Sequence, residues 1–135
     1  ADNALAASIR RNGVFAFLEF WQQTPMIRSQ QNIRPERRKQ MDANRMQHEA
    51  IGLAQSLELF GQGSCPNLWP QLTKLTMPIL LITGEQDTKY TEIAERMTKS
   101  LPQAQHQVIA EAGHCPHLEK PEATLAIIEP FIRSF

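Results

Sequence analysis

The sequence predicts an α/β fold: a helical stretch followed by two strand–helix units of a parallel sheet. Three observations lead there. The first sixty residues read as helical, with apolar side chains at three- and four-residue steps over 3–22 and no convincing strand. Ile79, Leu80, Leu81 and Ile82 then form an unbroken apolar run between Pro78 and Gly84, the pattern of a strand buried on both faces. From that point the order strand, helix, strand, helix calls for a crossover in a parallel sheet.

Each element has its own signal. In the first helix (3–22), Leu5, Ile9, Val14, Phe17, Leu18 and Trp21 share a face, with a break expected at Gly13. TPMIRSQQNIRP (24–35) reads as a connector because two prolines punctuate it. Pro35 suits the first turn of a new helix, or pair of helices, running to Phe60, with Leu53, Leu57 and Phe60 on one face. GQGSCP (61–66) stops it. NLWPQLTKL (67–75) reads as a short helix before the first strand. TKYTEIAERMTKSLP follows that strand as an amphipathic helix with Ile93, Ala94, Met97 and Leu101 inward. AQHQVIA (104–110) is the second strand. From Pro121 onward, Leu125, Ile128 and Ile132 repeat at helical spacing, and Pro130 is expected to kink the last turn.

Composition narrows the function classes. The 135 residues suit one domain, and 14 basic residues balance 14 acidic ones. No whole-chain field draws the chain to nucleic acid or to an anionic membrane. No apolar run reaches the roughly 20 residues of a membrane span, and no basic-then-apolar leader opens the chain. Cys65 and Cys115 are too few for a disulfide framework, so a reducing, cytoplasmic setting is expected. The first residue is Ala1 rather than Met, which hints at a processed or truncated chain.

The chemistry concentrates at two strand ends. In open α/β sheets, reacting groups gather beyond the carboxyl ends of the strands. Asp87 lies just past the first strand and His114 just past the second, so pairing of the strands would let them meet. An Asp beside a His fixes the imidazole tautomer and stabilises the imidazolium, the acid–base half of a nucleophilic triad.

PILLITGEQD followed by AGHCPHLEKPE resembles the closing signature of the α/β-hydrolase superfamily, and the helical stretch before it resembles that fold's lid. FLEFWQQTPMI, RRKQMDANR and IGLAQSLELFGQGSCPNLWPQL together resemble the 2-succinyl-6-hydroxy-2,4-cyclohexadiene-1-carboxylate synthases of menaquinone and phylloquinone biosynthesis. The resemblance covers essentially the whole chain. It implies the C-terminal portion of an α/β-hydrolase fold, with a lid over 1–66 and core over 67–135. It implies a lyase eliminating pyruvate from a carboxylate substrate, without a cofactor or metal. Asp87 and His114 would be catalytic. Arg45 matches a lid arginine used on the substrate's carboxylates, and Trp21 a lid tryptophan that walls the pocket. One departure is GQG (61–63), where members of that family usually carry GTG. The larger one is that no serine stands in G-x-S-x-G. Ser64, in GQGSCP, comes nearest in composition but follows a helix. The nucleophile is therefore expected outside these residues.

Plainer readings stand beside each of these. Asp87 could simply cap the helix beginning at Thr88. His114 could be a loop histidine bonded to backbone. His114, Cys115 and His117 invite a zinc reading, yet three ligands within four residues match none of the usual spacings. Cys115 is too near His114 to be its nucleophile and reads better as a small packed residue. His117 supports the loop or faces substrate. Phe20 and Trp21 could serve only the core. RPERRK (34–39) reads as a solvated helix face, because aromatic interleaving is missing. Two other functions remain open: a serine hydrolase using the same Asp and His, and a non-catalytic module acting by assembly. Two parallel strands also make an incomplete sheet. The chain is thus expected with its missing N-terminal half or in a self-associated form, and inactive alone.

Overall fold

The computed structural model describes residues 2–61, 63 and 65–135. Gln62 and Ser64, which bear on the GQG departure and the serine search, lie outside the described residues. In chain order the helices are α1 (Asp2–Trp21), α2 (Pro25–Arg28), α3 (Pro35–Met46), α4 (Ala50–Phe60), α5 (Thr88–Ser100), α6 (Pro116–Glu119) and α7 (Pro121–Arg133). The strands are β1 (Ile79–Gly84) and β2 (Ala104–Ile109), and 3-10 turns occupy Ser29–Asn32 and Trp69–Lys74. The chain forms two compact units: residues 1–24 with 35–67, and residues 25–34 with 68–135. The stretch 25–34, placed in the lid from sequence, belongs to the second unit.

The first unit is helical. Ala6, Ile9 and Ala54 form its buried centre, with Leu5, Phe17, Ala50, Leu53 and Leu57 packed around them. Small side chains at 6 and 54 let α1 and α4 approach closely. Burying Ile9 is worth about 1.5–3 kcal/mol. The break expected at Gly13 is real: its φ of 80° lies outside the helical region and suits glycine. Arg10 on α1 grips both carboxylate oxygens of Glu58 on α4. That bond holds the Glu58 carboxyl below its usual range and lifts the Arg10 guanidinium further. Phe60, expected inward with Leu53 and Leu57, is exposed. The buried stripe of α4 leaves the helix at Gly61, where a Cβ would strike the Leu57 carbonyl and the Asp2 carboxylate.

The second unit carries the sheet. β1 and β2 pair in parallel, in register from Ile79 against Ala104 to Gly84 against Ile109. α5 turns Ala94 and Leu101 into the buried interior, with Ile93 and Met97 half-buried. Thr91 at its start donates to the Thr83 hydroxyl at 3.0 Å, and Thr83 lies 2.8 Å from His106 Nε2. This chain fixes the first turn of α5 against the strand ends.

Ile79–Ile82 were expected to be buried on both faces, but they are only half-buried. The reason is the small sheet: the described residues form two strands, too few to cover both faces. In α7, Thr124 is buried and Ile127, Ile128 and Phe131 are half-buried. Leu125 and Ile132 point to solvent instead, at 52% and 64% exposure. The helix has two apolar stripes, and packing selects the one through 124, 127, 128 and 131. Pro130, expected to kink the last turn, sits within α7, which continues to Arg133. Among the described residues no helix is long and apolar enough to cross a membrane.

Candidate active site

The turn after β1 is pinned to the exit of β2. The N–H of Glu85 donates to the Ile109 carbonyl at 2.9 Å, and that of Gln86 to the Ala112 carbonyl at 2.8 Å. Asp87 N–H closes the turn on the Gly84 carbonyl at 3.0 Å. These bonds carry Asp87 towards the loop that bears His114. Gly84 makes the approach possible, because a Cβ there would collide with the backbone of Ala112 and Gly113. On the opposite side, Glu111 adopts a φ of 56°, unusual for a side-chain-bearing residue, as the chain reverses out of β2.

Asp87 and His114, 27 positions apart, then meet: Oδ2 lies 2.6 Å from Nδ1. An ionised carboxylate can only accept, so in the neutral imidazole the proton belongs on Nδ1 and the lone pair on Nε2. Asp87 Oδ1 also accepts the Tyr90 N–H at 3.3 Å. The carboxylate caps α5 and orients the histidine at once, so the cap reading and the orienting one describe the same group. The Tyr90 ring packs edge-on against the imidazole, with centroids 4.9 Å apart.

The loop around His114 is held by polar contacts from within the unit. Glu119, buried on α6, accepts the N–H groups of Gly113 at 2.7 Å and Cys115 at 3.1 Å. It also accepts the Ser29 hydroxyl at 3.0 Å, and Ser29 Oγ accepts the His114 N–H at 3.3 Å. Gln30 donates to Cys115 Sγ at 3.3 Å. On the rim, a hydrogen bond from Lys120, reinforced by its charge, holds the exposed Glu111 carboxyl below the ordinary carboxylate range. Among the described residues, no three His, Cys, Asp or Glu side chains converge as a metal ion would require.

A cleft of about 530 Å³ opens over the pair. Gln86, Asp87, Thr88, Lys89, Gly113 and His114 line it together with Pro25, Met26, Arg28, Ser29, Gln31 and Asn32. The arrangement can accept a proton at Nε2 and stabilise the resulting imidazolium through Asp87.

Trp21 and Arg45 meet in the first unit, the guanidinium 4.7 Å from the ring centroid, with Asp42 3.4 Å away. Phe20 is exposed. His117 is exposed on α6 and is not among the residues that line the cleft. Arg34 pairs with Glu122 in the second unit, and α3 buries no residue. Sequence reasoning missed the wall formed by residues 26–32, hidden by the prolines and polar residues that mark a connector. It also missed Glu119, which sits in an EKPE run resembling a solvated helix start. Its one signal was its place shortly after Gly-His, in a loop whose N–H groups need acceptors.

A family model described as the alpha/beta hydrolase family matches residues 3–127. A candidate 2-succinyl-6-hydroxy-2,4-cyclohexadiene-1-carboxylate synthase of Bacillus subtilis is 36% identical over 133 residues, covering 98% of this chain and 48% of that protein. The structure of MenH from S. aureus superposes with a TM-score of 0.94 at 29% identity, over 98% of this chain and 50% of that one. A thermophilic esterase from Thermogutta terrifontis superposes with a TM-score of 0.82 at 26% identity, over 98% of this chain and 48% of the other. The chain spans about half the length of the curated relatives it matches. Its helices and two parallel strands correspond to half of the MenH fold.

Proposed function

The chain belongs to the alpha/beta hydrolase family, and from that premise we propose that it supplies the acid–base half of a pyruvate-eliminating lyase. That lyase is of the 2-succinyl-6-hydroxy-2,4-cyclohexadiene-1-carboxylate synthase type. The observation that carries this reading is the Asp87–His114 pair, 2.6 Å apart beyond two parallel strand ends and open to a cleft. The relatives it resembles across nearly its whole length support the choice of reaction.

In the proposed mechanism, Asp87 holds the proton on Nδ1, so His114 Nε2 serves as the base. Nε2 withdraws the proton of a serine hydroxyl supplied from outside residues 1–135. The serine in turn abstracts the substrate proton whose loss expels pyruvate. Asp87 stabilises the imidazolium formed at that moment. Arg45 binds a substrate carboxylate, and Trp21, already stacked under its guanidinium, walls the pocket beside it. No cofactor is required. The working partner is the polypeptide segment bearing the nucleophile, and the setting is the cytoplasm.

A second reading, ester hydrolysis by the same Asp and His, is favoured by the likeness to the Thermogutta esterase. The two are separated by assaying the chain, assembled with a nucleophile-bearing segment, on the dicarboxylate substrate and on an aryl ester. Pyruvate release with the first and negligible ester turnover supports the lyase. The reverse pattern replaces it with a hydrolase.

A further inference from the structure

The proposed chemistry uses Asp87 and His114 and leaves unused the most buried acidic side chain of their unit. Glu119 is 7% exposed. Its two oxygens receive three donors: Gly113 N–H on Oε2, and Cys115 N–H and the Ser29 hydroxyl on Oε1. Ser29 in turn receives the N–H of His114. Three consecutive backbone N–H groups, at 113, 114 and 115, thus depend on one carboxylate, two directly and one through a hydroxyl.

The packing is tight enough to make this arrangement specific. A Cβ on Gly113 would collide with the Ser29 side chain, so the loop and residue 29 are held in contact. An amide at 119 could not substitute faithfully. It would retain one accepting oxygen and turn an NH2 group against an N–H that needs an acceptor. Every neighbour here donates, so an acceptor-only group fits.

We propose that Glu119, acting with Ser29, is a positioning residue for His114. It sets the backbone from which the imidazole reaches Asp87 and thereby fixes where Nε2 meets the reacting proton. This inference rests on the reading of His114 as the base, but its geometry does not. Small displacements of a catalytic group have large effects: about 1 Å of misplacement can cost ~10²-fold in rate.

The test uses the assembled, active protein carrying 15N-labelled histidine, with Glu119→Gln, Ser29→Ala and Ser29→Thr variants. In the wild type, His114 is expected to show a protonated Nδ1 with a low-field proton shared with Asp87. Glu119→Gln is expected to shift or broaden that proton and to lower kcat by roughly ten- to a hundredfold, with KM unchanged. Ser29→Ala gives the same signature more weakly, and Ser29→Thr, which keeps the hydroxyl, returns the wild-type proton and kcat. Should the protein turn over no substrate at all, the functional reading fails, while the histidine spectrum still decides this one. Should Glu119→Gln not fold, the Ser29 pair decides alone. Variants that melt at lower temperature yet keep the wild-type His114 proton and kcat would overturn the proposal and leave Glu119 a purely structural residue.

Discussion

The two ends of the second unit are built differently. At the carboxyl ends of β1 and β2, polar groups are satisfied locally: Glu119, Ser29 and Asp87 accept the N–H groups that face them, and Glu85 and Gln86 donate theirs to the Ile109 and Ala112 carbonyls. Across the sheet and α7, apolar side chains lack cover: Val108 is 45% exposed, and Leu125 and Ile132 face solvent. Hydrogen bonds are short-ranged and can be completed by neighbouring loops. Hydrophobic cover needs whole elements laid over a face. The hydrogen-bonded frame of the Asp87–His114 pair can therefore be in place where the apolar faces of the same unit stay uncovered.

Gly84→Ala should damage the site end most. The added methyl meets backbone, not a flexible side chain, with the Ala112 carbonyl carbon only 2.6 Å away. The expected loss is about 3 kcal/mol, the upper part of the usual overpacking range, read from urea unfolding of the assembled protein. A midpoint equal to the wild type would mean that the two strand exits are not in contact.

Arg45→Ala, in the first unit, tests the proposed carboxylate contact. In the assembled enzyme it should raise KM for a dicarboxylate by roughly ten- to a hundredfold, the worth of one charge-assisted contact. The KM of a neutral ester should hardly move. Equal effects on both substrates would assign Arg45 to packing against Trp21 alone.

Replacing Leu125 and Ile132 by Ser tests the open face. In the chain alone each change should stay within about 0.5 kcal/mol, as for surface positions. In the assembled protein the effect should be larger if another element covers α7. Large losses in the isolated chain would show that this face is already packed.

The smallest effect concerns the rim. Lys120 depresses the Glu111 carboxyl, so the associated stability is present above the ordinary carboxylate value of about 4.3. It is lost as pH falls through the lower folded value. Lys120→Met should move the Glu111 titration up towards the ordinary value, followed by carboxyl NMR. An unmoved titration would remove Lys120 as the cause.

Much of this was legible in the residues. The apolar run at 79–82, its flanking Pro78 and Gly84, and the periodicity of α5 located the strand end and with it Asp87. Gly113 and the second strand located His114. What escaped was set by tertiary contact. Residues 25–32 form helical turns and a cleft wall despite two prolines nearby, because packing overrode a connector-like composition. Phe60, Leu125 and Ile132 share helical spacing with buried neighbours, and periodicity alone could not tell which of two stripes would be covered. Glu119 escaped notice because two of its donors are backbone N–H groups, which carry no sequence signature, and the third, Ser29, lies 90 positions away.

The central claim is that Asp87 and His114 act as a base pair for a nucleophile that residues 1–135 do not supply. The most direct test measures pyruvate release from the dicarboxylate substrate by three samples: the 135-residue chain alone, the chain assembled with a polypeptide carrying a G-x-S-x-G segment, and that assembly with Asp87→Asn. The account predicts no release from the first, turnover by the second, and a loss of about 10⁴-fold in the third, as when an orienting carboxylate is made neutral. Turnover by the chain alone, or an assembly indifferent to Asp87→Asn, would contradict it.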